Sequence, residues 1–185
     1  GGQIKLIQDK WLMYFLHWKP LTEERKKISV EYVRKLLLSF WGPNMPFIIL
    51  GDGGETRVGN HQAFYIDGTI YDGKIRTRFI VWNCPETNRQ FIADCNINKM
   101  RGTLNHLLKL QFKITSTISC HGGSTKHSHP ELTQKYSSEP FNLSFFIPPT
   151  WRTNEFRYPK WYPEGLSPAK GSLWTLPTES VKYVE

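Results

Sequence analysis

Only three cysteines occur in 185 residues. That number is too low, and odd, for the disulfide framework of a stapled secreted protein, so a reducing compartment is expected. No stretch nears the roughly eighteen apolar residues of a membrane span, and none reads as an internal repeat or a low-complexity run. The chain does not open with the charged, apolar, small-residue order of a signal peptide, although Gly1-Gly2 leaves room for a removed leader. Acidic side chains are outnumbered as well: 24 Lys and Arg face 16 Asp and Glu, for a net charge of +8. That excess points to a polyanionic partner, because displacing counterions from nucleic acid is a large favourable term. Length and ordinary hydrophobic content allow a real buried core.

Apolar periodicity divides the chain into three segments. Over residues 1–46, Ile4, Ile7, Trp11, Tyr14 and Trp18, with Leu12 and Phe15 beside them, recur every three or four positions. This predicts an amphipathic helix interrupted at Pro20. Thr22 is the expected cap of a second helix, with Glu23 and Glu24 in its first turn. Its apolar face runs through Ile28, Tyr32, Val33, Leu36, Leu37, Phe40 and Trp41 to Gly42-Pro43. Two such helices form a hairpin whose aromatics suit packing on the rest of the protein, or a homodimer or partner interface.

Residues 47–135 read mainly as strands. Phe47 to Leu50 is a short buried strand, and Gly51-Asp52-Gly53-Gly54 a turn; with neither Lys-Ser/Thr nor a helix after it, it is no phosphate loop. Ala63 to Tyr71 and Ile75 to Asn83 are aromatic and β-branched on either side of Asp72-Gly73, a strong hairpin signal. In the second of these strands Arg76 and Arg78 share one face, and Thr77, Phe79 and Val81 take the other. Pro85 to Asn88 reads as a turn and Arg89 to Ala93 as a third strand ending at Cys95. Asn98 to His106 reads as a loop or helical turn, and Leu107 to Ser119 as a strand because Leu108, Leu110, Phe112 and Ile114 alternate. Residues 136–185 are rich in Pro and aromatics, Trp151, Trp161 and Trp174 among them, and predict an irregular extension draped on the domain. The expected class is α+β, with a small antiparallel sheet.

Chemistry concentrates between Trp82 and His129. Cys84, Cys95, His127 and His129 follow in the order Cys, Cys, His, His. Thiolate and imidazole are the ligands zinc prefers, and two histidines one residue apart can both reach a metal from the end of a strand. Cys120 and His121 compete for ligand places, Cys120 as a substitute for Cys95. His61 and His106 belong to no pattern. Four protein ligands leave no position for water, so the expectation is one structural zinc ion and no enzyme.

The run Phe64-Tyr65-Ile66-Asp67-Gly68-Thr69-Ile70-Tyr71, then Trp82-x-Cys84 and the closing His127-Ser128-His129-Pro130, resembles the FLYWCH-type zinc finger, a relative of the WRKY and GCM DNA-binding domains. The resemblance covers roughly Asn60 to Leu132. It implies a zinc-stabilised sheet inserted in the major groove of double-stranded DNA, a transcription regulator and a nuclear location. The groove admits a two-stranded ribbon and presents each base pair distinctly. Carried onto this chain, the contacts are Lys74, Arg76 and Arg78, with Thr69 and Tyr71 on the matching strand and Lys99, Arg101 and Lys126 gripping phosphate. Two alternatives stand beside this. His127-x-His129 with Tyr136 downstream is similar to the metal-binding histidines and tyrosine nucleophile of HUH single-strand endonucleases. The other is a zinc-stapled protein-interaction module.

Overall fold

The computed structural model describes residues 2–9, 12–41, 49–70, 73, 75–98, 104–122, 129–139, 142–157 and 181–184. The class is α+β, as expected, and the framework is an antiparallel sheet. Its strands are β1 (Gly2–Asp9), β2 (Leu12–Pro20), β3 (Ile49–Val58), β4 (His61–Ile70), β5 (Ile75–Cys84) and β6 (Arg89–Asn98). The later strands are β7 (Gln134–Ser138), β8 (Leu143–Ile147), β9 (Arg152–Arg157) and β10 (Val181–Val184). Eight of them run in the order β10-β9-β1-β2-β6-β5-β4-β3, and β7 and β8 form a separate hairpin. All three segments expected from sequence therefore contribute strands to one sheet.

Helix α1 (Val30–Trp41) covers one face and α2 (Leu104–Ser116) the other. Under α1, Val33 and Leu37 pack on Ile66, Phe79, Val81 and Ile92. Beneath α2 and the β7–β8 hairpin lies the larger core, with Tyr14, Leu16 and Trp18 of β2, Ile80 and Trp82 of β5, Phe91 and Ala93 of β6, and Ile114 and Phe145. Trp82 stacks on Phe91 at 5.2 Å between ring centroids, at the centre of that layer.

Three expectations need correction. Residues 4–9 and 12–18 are not helical but lie in the paired strands β1 and β2, so the described residues form no N-terminal helical hairpin. The run Tyr14 to Trp18 is buried throughout, Tyr14, Leu16 and Trp18 going to one core face while Phe15 and His17 occupy the other. A strand apolar on both faces mimics helical spacing, and its aromatics favour the sheet. The second helix begins at Val30 rather than Thr22: the Ser29 hydroxyl accepts the Tyr32 N–H at 3.1 Å, while Thr22 precedes only a single 3-10 turn. The stretch 107–116 is helical, with Leu108, Gln111 and Thr115, and Leu110 and Ile114, buried at helical spacing. Its alternation was coincidental.

The glycine turn is a further correction, because residues 51–54 lie within β3, beside a register shift between Leu50 and Gly53. A Cβ on Gly53 would lie 2.7 Å from the Tyr65 carbonyl oxygen and 2.9 Å from Val30 Cγ1, which only glycine avoids. The C-terminal segment is also more regular than expected, contributing β8, β9 and β10, with Trp151 buried in the core; Trp161 and Trp174 lie outside the described residues. The hairpin β4–β5, its Gly73 at φ 79°, the turn after Cys84 and strand β6 match the sequence reading. No helix among the described residues is long and apolar enough to cross a membrane.

Candidate metal centre

The hairpin register assembles the site. Ala63 pairs with Trp82 across β4 and β5, and two steps further the same register sets His61, first residue of β4, opposite Cys84, last residue of β5. Residues one pair apart across a ladder lie within side-chain reach. The third segment arrives after α2, where Ser119 is tied to Ser144 of β8 by two main-chain bonds of 2.8 and 3.0 Å. That anchor delivers Cys120 and His121 onto the sheet end. One ligand atom from each of His61, Cys84, Cys120 and His121 lies within 4.8 Å of the others, so the cluster could hold a metal ion.

The spacing suits a tetrahedral ion. Sulfur at about 2.3 Å and nitrogen at about 2.0–2.1 Å from a tetrahedral centre set S···N edges of about 3.6 Å. Cys84 Sγ lies 3.6 Å from His121 Nδ1, Cys120 Sγ 3.7 Å from the same nitrogen, and Cys120 Sγ 3.3 Å from His61 Nε2. The two imidazoles meet edge to face at 5.3 Å. Three of the four residues are buried, and His121 reaches solvent. Burial lowers the His61 pKa, keeping its ring in the neutral, metal-binding form, and burial together with the neighbouring Cys84 raises that of the Cys120 thiol. A cation would supply the charge that makes the thiolate affordable here.

The expected ligand set is regrouped. Cys84 is in the cluster, with Cys120, which competed with Cys95 in the sequence, and His121. Cys95 is not: Cys84 stands opposite Arg89 and Cys95 opposite Arg78, six steps along the β5–β6 ladder, roughly 20 Å at about 3.3 Å per residue. The two thiols share a face but not a site. Cys95 is buried against Tyr14 of β2, and desolvation raises its pKa strongly. His127 lies outside the described residues, and His129 Nε2 lies 3.5 Å from the Ser116 hydroxyl at the end of α2. His61 was missed because its membership depends on register alone; no local pattern marks it.

The expected DNA contacts divide as well. Arg78 is not on an open face. It donates to Asp67 from Nε at 2.5 Å and Nη2 at 2.7 Å, with its guanidinium 4.3 Å from the Phe112 ring centre and 5.2 Å from that of Tyr65. The alternation along β5 is as expected, but α2 covers the face that carries Arg78. Arg76 is partly exposed, 3.8 Å from Asp67, and pairs with Thr69 of β4. Strand β5 is internal, flanked by β4 and β6, so it offers no free edge. Tyr71, Lys74, Lys99, Arg101 and Lys126 lie outside the described residues. Tyr136, the nucleophile of the endonuclease alternative, is buried and stacked on Phe145 at 4.8 Å.

No protein-family model matches the sequence, and no curated protein matches it. Among solved structures the chain is similar to PA94 of Pseudomonas aeruginosa, a protein of unknown function described as a suspected regulator. The identity is 12%, the overlap covers 62% of this chain and 80% of that one, and the TM-score is 0.45. A likeness of this degree says nothing about what either protein does.

Proposed function

We propose that this protein is a zinc-stapled binding module without catalytic activity, its ion held by His61, Cys84, Cys120 and His121. One observation carries the reading: two sulfurs and two imidazole nitrogens within 4.8 Å of one another on three chain segments, with three sulfur–nitrogen distances of 3.3–3.7 Å near the edge of a zinc tetrahedron. Soft sulfur with imidazole selects zinc over magnesium or calcium, and four protein ligands leave no place for a reacting water. The ion ties the start of β4, the end of β5 and the segment after α2 into one unit, so its binding energy is folding energy. Elemental analysis of purified protein tests this. One zinc per chain, lost in Cys120→Ala and kept in Cys95→Ala, is the expected result; no zinc in well-folded wild-type protein would remove the reading.

The partner we propose is double-stranded DNA, bound as by a nuclear transcription regulator of FLYWCH-like type. Support comes from the net charge of +8 and from Arg76 and Thr69 near the β4–β5 turn. Arg78, committed to Asp67, drops out of the contact set. If about six basic groups meet phosphate, log affinity falls against log salt with a slope of roughly −5. Anisotropy titrations with duplex DNA at several salt concentrations read this slope. A flat response with stoichiometric zinc would leave the zinc staple standing and make the module one for protein partners.

A further inference from the structure

After Cys84 the chain makes one 3-10 turn, Pro85–Thr87, passes through Asn88 in the left-handed region at φ 50°, and enters β6 at Arg89. This turn sends three side chains back to the cluster. The Thr87 hydroxyl donates to Cys84 Sγ at 3.1 Å and accepts from Arg89 Nε at 3.0 Å. Arg89 Nη2 donates to the Cys120 carbonyl oxygen at 2.7 Å, and the guanidinium stacks 5.0 Å above the Phe91 ring centre. The guanidinium thus bridges the hydroxyl that holds Cys84 and the main chain of Cys120. The third side chain is Glu86, whose carboxylate accepts from Cys84 at 3.4 Å.

The Thr87 hydroxyl donates to one ligand sulfur, Arg89 ties that hydroxyl to the main chain of the second cysteine, and the Glu86 carboxylate accepts from the Cys84 thiol. A donor on a ligand sulfur fixes the orientation of that ligand and strengthens its anionic form. A site that merely buried two thiols would need no arginine linking the support of one cysteine to the main chain of the other.

We infer that Thr87 and Arg89 are positioning residues that hold Cys84 and Cys120 as a pair of thiolate ligands, and so make the centre selective for thiophilic divalent cations such as zinc, cobalt and cadmium over manganese, magnesium and calcium. This rests on the metal reading above. Thr87→Val removes one donor while keeping shape, Thr87→Ser restores it, and Arg89→Gln removes the charge. Zinc affinity of the full chain is measured at fixed pH by competition with a chromophoric chelator, and the cobalt(II) complex is followed by its thiolate absorption. The thermal midpoint of chelator-stripped protein controls for folding.

Loss of outer ligand support typically weakens a metal 10–100-fold. The expected result is such a loss in Thr87→Val and Arg89→Gln, near-wild-type binding in Thr87→Ser, an unchanged stripped midpoint in Thr87→Val, and no displacement of zinc by excess manganese. Zinc affinity within about threefold of wild type in both Thr87→Val and Arg89→Gln, or ready displacement by manganese, overturns the inference while leaving the zinc staple intact. Should Arg89→Gln fail to fold, Thr87→Val decides. A wild-type chain that takes up no zinc overturns both.

Discussion

Strands β4 and β5 carry a polar cluster at each end of the same face, and the two handle burial in opposite ways. At one end Asp67 and Arg78 are register partners that satisfy each other, with a two-point ion pair sandwiched by Tyr65 and Phe112. At the other, the sulfurs of Cys84 and Cys120 lie 3.3–3.7 Å from ring nitrogens of His61 and His121, in weak sulfur contacts with no ion pair among the four. The first cluster pairs a cation with an anion, while the second gathers four metal-ligating side chains. A buried polar group justified by its neighbours is architecture; one that its neighbours cannot satisfy points to a ligand.

The hardest test of this contrast is to remove each end. With free zinc at about a thousand times its dissociation constant, binding adds about 4 kcal/mol to stability. Chelation or Cys120→Ala should therefore lower the unfolding midpoint by an amount that depends on zinc concentration, and Arg78→Ala should leave zinc content untouched. If chelation leaves the midpoint in place, the two ends are alike and the contrast fails.

Arg78→Ala itself should cost about 3–5 kcal/mol, because it leaves a largely buried Asp67 without its partner. The combined Asp67→Leu, Arg78→Met variant should recover most of that loss, as apolar replacement of a buried pair does. Urea unfolding of the three proteins checks the ordering. A small loss in the single variant would mean that Arg76, 3.8 Å from the same carboxylate, takes over.

Acid acts on the zinc end, but also on a third group that must be separated from it. His17 of β2 is buried and stacked on Phe15 at 5.9 Å, and desolvation drops its pKa to about 3. Its folded pKa lies below its unfolded value near 6.5, so the unfolded chain binds the extra proton. The His17 contribution is complete above pH 6.5 and is lost as pH falls from there toward about 3, at about 1.4 kcal/mol per unit. Between pH 6.5 and 5 the loss is about 2 kcal/mol. His17→Gln should flatten that part of the stability curve in chelator-stripped protein; an unchanged slope would assign acid sensitivity elsewhere.

The smallest effect is expected at Tyr14, whose hydroxyl lies 2.9 Å from that of Thr115 in α2. Thr115 also donates to the Gln111 carbonyl oxygen at 2.7 Å, so Tyr14→Phe leaves it bonded. The cost should be about 1 kcal/mol, with zinc content unchanged. A loss above about 3 kcal/mol would mean that α2 depends on this bond for its docking.

The β4–β5–β6 meander was legible because each strand is bounded by a turn signal, Gly73 and the Pro85 to Asn88 turn, and its two faces alternate cleanly. The β1–β2 hairpin was not, since a run apolar on both faces has no period of its own. The site was half legible. Cys84 and the competing Cys120-His121 stood out by residue type, whereas Cys95 was drawn in by order and His61 left out for want of one.

By itself, then, the sequence determined the α+β class, the basic charge, the central meander and the presence of soft ligands in the middle of the chain, because composition, turn chemistry and alternation are local properties. Only the tertiary structure decided which cysteine joins which histidine and which arginine reaches solvent. Strand register set His61 opposite Cys84 and carried Cys95 roughly 20 Å away at about 3.3 Å per residue. The packing of α2 closed over Arg78. Register and layer packing join residues far apart in the chain, and no window along it contains them.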